Sequence, residues 1–117
     1  MQNSLLTKSQ RRELRRLAGL AHERALSAAA QDLAFSFDAW RSGKIDVFKL
    51  NEAVHRYHDG ISRELYKRYA MGDQDISVID AISRGIIKEA EVAPEILSRF
   101  RGALDSIKRH NDSNESE

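Results

Sequence analysis

Cysteine is absent from this 117-residue chain. That removes disulfides, thiolate nucleophiles, iron–sulfur clusters and cysteine-based zinc sites together, so any metal would have to be held by His and carboxylate. A single proline and six glycines leave little of the turn chemistry that an all-β sandwich needs between its many short strands. No run approaches the roughly 20 apolar residues of a membrane span, and no unit of 20 to 50 residues repeats as in a solenoid. The glycines stand singly, so no Gly-x-Gly phosphate cradle is encoded. Met1 to Thr7 has no apolar stretch behind a charged start, which gives no expectation of a secretory signal. A cytoplasmic protein with no membrane contact is expected.

What is present is 41% hydrophobic and 32% charged residues, enough apolar surface for a core and too little for a membrane protein. The length suits one domain, because two cores would each bury too little. Charge divides by region. Met1 to Arg24 carries six basic residues against two acidic ones, whereas Asn111 to Glu117 carries Asp112, Glu115 and Glu117 with no basic residue. The expected layout is a lead over residues 1–6, one helical domain over 7–110 and a disordered acidic tail over 111–117.

The spacing predicts an all-α bundle of about five helices with short capped turns. Thr7 followed by Gln10 has the pattern of a capping box. Leu14, Ala18, Ala21, Ala25, Ala29, Leu33, Phe37 and Trp40 then recur every three or four residues. One helix to about Trp40 would span roughly 50 Å, more than a compact domain of this size. Such a helix must break, at Gly19 or between Ser27 and Ala30, or protrude and be covered by a second copy. Asp46 is expected to cap a second helix with the stripe Leu50, Ala53, Val54 and Tyr57. Asp59 and Gly60 are expected to stop it, and Ser62, with Ile61 and Tyr66 as a staple, to start a third bearing Leu65, Tyr66 and Tyr69. Asp73 or Asp75 would cap a fourth with Ile76, Ile79 and Ile82 inward and Gly85 at its end. Pro94 would open a last helix to about Arg109, striped by Leu97, Phe100, Leu104 and Ile107.

Candidate sites are few. Asp38 to Lys49 has the outline of a calcium loop, but Trp40 and Lys49 occupy the third and twelfth positions, where oxygen ligands are needed. Glu52, His55 and His58 share a helical face at the spacing of bundle metal sites, with His22, Glu23, Asp38 or Asp59 as further ligands. No second Glu-x-x-His pair accompanies them. Lys8, Arg11, Arg12, Arg15 and Arg16 form a basic face that can neutralise phosphates. His58, Asp59 and Ser62 have the residue types of a catalytic triad, yet capping at a turn accounts for them. Tyr57, Tyr66 and Tyr69 with Arg56, Arg63 and Arg68 concentrate the residue types enriched at protein interfaces. The expectation is a non-enzymatic, homodimeric regulatory or adaptor protein without a cofactor, binding itself or another protein. A nucleic-acid-associated regulator using the basic helix is the alternative, and a His/Glu metal enzyme a third.

Overall fold

The computed structural model describes residues 6–115, and every regular element in that span is helical. Helix α1 (Lys8–Arg41) is continuous over 34 residues, about 51 Å at 1.5 Å per residue. It is not interrupted at Gly19 or between Ser27 and Ala30, so of the two expectations the unbroken helix holds. The capping box forms as the spacing predicts: the Gln10 amide donates to Thr7 Oγ1 and the Thr7 amide to Gln10 Oε1, each at 3.0 Å. Gly43, at φ 81°, ends the helix. Its amide and that of Lys44 turn back to the carbonyls of Trp40 and Ala39, the paired closure that a left-handed residue makes possible.

Asp46 then caps α2 (Val47–His55), accepting from the Lys49 amide at 2.8 Å. Here the sequence-based expectation fails, because α2 does not stop at Asp59 and Gly60. The chain continues through a π-helical segment (Arg56–Ser62), α3 (Arg63–Tyr66) and a second π-helical segment (Lys67–Met71) as one helix over 47–71. Ser62 has right-handed helical dihedrals and caps nothing, and Gly60 is not among the positive-φ glycines. The physical reason lies in the apolar spacing. Tyr57, Ile61, Leu65 and Tyr69 recur every fourth residue, and at 3.6 residues per turn such a row drifts about 40° per step. Wider turns, closing on the fifth residue rather than the fourth, cancel that drift. The row stays on the side facing α1: Tyr57 and Ile61 border a groove with Ala29 and Leu33, Ile61 and Leu65 border one with Ala25 and Ala28, and Leu65 and Tyr69 are buried.

Since Ser36 and Leu33 lie by Tyr57 while His22 and Leu26 lie by Ser62 and Tyr66, the long helices run antiparallel as a hairpin. Asp73 caps α4 (Gln74–Ser83) through the Asp75 and Ile76 amides. The Ser77 hydroxyl, buried, donates to the Arg68 carbonyl at 2.5 Å, satisfying an acceptor that the end of the preceding helix leaves open. Gly85 (φ 78°) closes α4, a 3₁₀ turn (Glu89–Glu91) follows, and α5 (Pro94–Glu115) begins at the proline. It passes the expected end at Arg109, so residues 111–115, expected as disordered tail, extend the helix. Residues 1–5 of the expected lead and 116–117 of the tail lie outside the described residues.

The core sits at one end of the molecule. Leu14, Leu17, Ala18 and Ala21 of α1 pack with Leu65, Tyr69, Val78, Ala81, Ile87, Ile96, Phe100 and Leu104. Two details correct the expected stripes. Ile76 is exposed rather than inward, its place taken by Ser77 and Val78, and Ile96 joins Phe100 and Leu104 as the buried row of α5. Beyond Ala21 no residue of α1 is fully buried. The radius of gyration, 18.0 Å, and extents of 59 × 39 × 22 Å record the projecting hairpin; a compact chain of this length would have a radius of about 13 Å.

Candidate interaction surfaces

The α1–α2 end of the hairpin carries large apolar side chains that the chain leaves uncovered. Phe48 is 76% exposed, Phe35 59% and Val47 52%, with Phe37 and Trp40 about two-fifths exposed. They flank the tight reversal that Gly43 and Asp46 make between α1 and α2. Phe37 and Trp40 continue the α1 stripe as expected, but remain partly exposed.

The expected Tyr/Arg surface does not form as one. Tyr69 is a core residue: its hydroxyl donates to Asp80 Oδ2 at 2.7 Å, and burial with that carboxylate pushes its pKa up to about 12. The Arg68 guanidinium lies 5.8 Å from the centre of its ring and bonds Glu64 at 2.6 Å. Every-fourth-residue winding separates the others. Tyr57 and Arg56 open on one side of the hairpin, in a groove of about 320 Å³ with Asp32 and Ser36. Tyr66 and Arg63 open on the other, in a groove of about 490 Å³ with His22, His58, Ser62 and Lys67. In the second groove the His22 and Tyr66 rings approach at 6.2 Å between centroids.

The metal and triad candidates meet differently. His58 Nδ1 lies 3.1 Å from Asp59 Oδ1 and His55 Nδ1 3.9 Å from Asp59 Oδ2, and the Asp59 pKa is lowered chiefly by the His58 hydrogen bond. These side chains are exposed, and no group of three or more His, Asp or Glu among the described residues is placed to hold a metal. Glu52 therefore does not join His55 and His58 in a site. The capping explanation for Asp59 and Ser62 also falls, since both sit inside a helix, yet Ser62 donates no hydrogen bond to His58 among the described residues.

Lys8, Arg11, Arg12, Arg15 and Arg16 are all exposed, as the spacing predicts. Arg16 forks onto Glu13 at 2.7 and 3.0 Å, and Arg11 bonds the Leu6 carbonyl at 2.7 Å. The sequence did not announce the contact that ties α1 to the connector before α5: Arg24 forks onto Glu91 at 2.7 and 2.9 Å and also donates to the Ile86 carbonyl. Its only signal was an arginine on a helix and a glutamate in a short acidic connector, 67 residues apart.

No protein-family model matches the chain, and comparison with curated proteins and with solved structures returns no match. Among the described residues no helix is long and apolar enough to cross a membrane.

Proposed function

We propose that this is a non-enzymatic, cytoplasmic interaction protein of regulatory or adaptor type that pairs with a second copy of itself through the end of the α1–α2 hairpin. The supporting observation is the exposure of Phe35, Phe37, Trp40, Val47 and Phe48 around a projecting reversal closed by Gly43 and capped by Asp46. Exposed apolar groups of this size on an otherwise charged chain mark a contact surface, and aromatic side chains supply most of the energy at such contacts. A two-fold axis at the hairpin end would bury the same side chains from both copies.

The test is the mass of the full chain by light scattering, for the native sequence and for a Trp40→Ala/Phe48→Ser variant. A dimer that the variant reduces to monomer, with unchanged helical circular dichroism, is the expected result. Truncations at exposed positions shift stability by only about 0.5 kcal/mol each. A native chain that stays monomeric at high concentration overturns self-pairing.

A second reading rests on Lys8, Arg12 and Arg15, which face solvent with no ion pair among the described residues. Nucleic-acid contact through them would weaken steeply with salt, whereas apolar pairing at the hairpin end would not. Retention on immobilised DNA at two salt concentrations separates the two.

A further inference from the structure

The groove bounded by His22 and Leu26 of α1 and by His58, Ser62, Arg63, Tyr66 and Lys67 of the opposite helix sets cations beside apolar side chains in a concave surface. Six arginines outside the groove are matched with acids, Arg16 with Glu13, Arg24 with Glu91, Arg41 with Asp38, Arg68 with Glu64, Arg84 with Asp80 and Arg101 with Glu89. In the groove no carboxylate lines the wall. Arg63 and Lys67 stand four residues apart, a like-charged spacing that costs helix stability, and neither has an ion-pair partner within 4 Å among the described residues. Asp59, whose carboxylate also feels the Arg63 charge, is hydrogen-bonded to His58 at 3.1 Å.

The winding of the helix brings these groups to one place. His58, Ser62 and Tyr66 form a second every-fourth-residue row, aligned by the same wide turns that align Tyr57 to Tyr69. Turns of this kind are uncommon and concentrate at functional sites. The wall so made presents a fork of guanidinium donors, an ammonium, two hydroxyls and imidazole nitrogens. Its lining also includes the apolar Leu26 and the exposed Met71. Two fixed positive charges and many donors beside apolar side chains match a doubly charged, oxygen-rich head on a short hydrocarbon stem. At about 490 Å³ the groove has the size of a small-molecule site.

We propose that this groove binds a phosphate monoester carried on an apolar stem, with Arg63 and Lys67 taking the phosphate and Leu26, Met71 and the Tyr66 ring taking the stem. The groove lies about nine residues of α1 away from the hairpin-end aromatics, so its failure and that of self-pairing are separately visible.

Titration calorimetry on the full chain tests it with octyl phosphate below its micelle concentration, inorganic phosphate and octanol as three probes. Octyl phosphate is expected to bind at least tenfold more tightly than inorganic phosphate, and octanol not to bind. An Arg63→Gln/Lys67→Gln variant should lose at least tenfold while an Arg12→Gln/Arg15→Gln variant keeps its affinity. In the native chain the His22 and His58 ring resonances should shift on addition of octyl phosphate, a readout that needs no variant to fold. The proposal is overturned if octyl phosphate does not bind, if octanol binds as well, or if both glutamine variants lose affinity equally, which would mean attraction to net charge alone. Binding only to vesicles containing phosphatidic acid, with none to the monomeric ester, would also overturn it by making the surface a membrane contact.

Discussion

Tyr69 and Tyr66 show how three positions along one helix separate two fates for the same residue type. Tyr69 falls on the every-fourth-residue row that faces α1 and is buried, while Tyr66 falls on the neighbouring row and is half-exposed beside His22. Composition alone grouped them as interface residues, since neither type nor spacing at 3.6 residues per turn distinguishes the rows. The buried hydroxyl carries a test. Its pKa of about 12, against 10 in an unfolded chain, means the unfolded state releases its proton first as pH rises. The stabilisation is therefore full below pH 10 and lost as pH climbs to 12; a two-unit shift corresponds to ~2.7 kcal/mol as an upper figure. Melting temperatures between pH 9 and 12 should fall more steeply for the native chain than for Tyr69→Phe. At pH 7 that variant should be about 1 kcal/mol less stable, the loss of one hydrogen bond, with Asp80 still held by Arg84. At the core end of α1, Leu17 is fully buried although the predicted stripe passed over it. Leu17→Ala should cost ~2–5 kcal/mol in denaturant melts, whereas Ile76→Ala, on the exposed side of α4, should change little.

At the scale of elements, the caps were legible and the winding was not. Thr7 with Gln10, Asp46, Asp73, Pro94, Gly43 and Gly85 each mark the boundary their chemistry implies. Asp59, Gly60 and Ser62 have the same chemistry in the middle of a helix. The difference is that tertiary packing of the Tyr57, Ile61, Leu65 and Tyr69 row outweighs the cost of one interior glycine, roughly 1 kcal/mol. A substitution separates the two readings of this segment. Gly60 is right-handed with open space around the position a Cβ would take, so Gly60→Ala should raise stability by about 0.5–1 kcal/mol in thermal melts. A residue that ended the helix in the left-handed region would lose stability on the same change, as Gly43→Ala and Gly85→Ala should. The candidate site was legible only in its parts: sequence supplied His58, Tyr66 and Arg63, and named His22 only as one of several further metal ligands, because the groove they share depends on the register of two antiparallel helices.

For the molecule as a whole, the projecting hairpin is anchored at one end. Arg24 and Glu91 join the middle of α1 to the connector before α5, and Glu91 also accepts from the Lys88 amide. The Arg24 hydrogen bond, then that amide, hold the Glu91 pKa down to about 2. As pH falls, the unfolded chain takes up this proton near its ordinary 4.5 and the folded chain only near 2, so the contribution is present above 4.5 and lost across that interval. Melts from pH 6 to 2 should show a smaller acid loss for Glu91→Gln than for the native chain, from a lower starting stability; equal slopes would show that the ion pair does not couple to folding.

The 59 Å long axis also bears on what form a pair would take. Two copies meeting at their hairpin ends would place their cores at opposite extremes, giving a dumbbell with a greatest span near twice that length. Side-by-side copies would keep nearly the same span. The distance distribution from small-angle X-ray scattering would then carry two peaks, one within each core and one between them. In such an assembly the two phosphate grooves would be held apart at fixed spacing, each open to solvent.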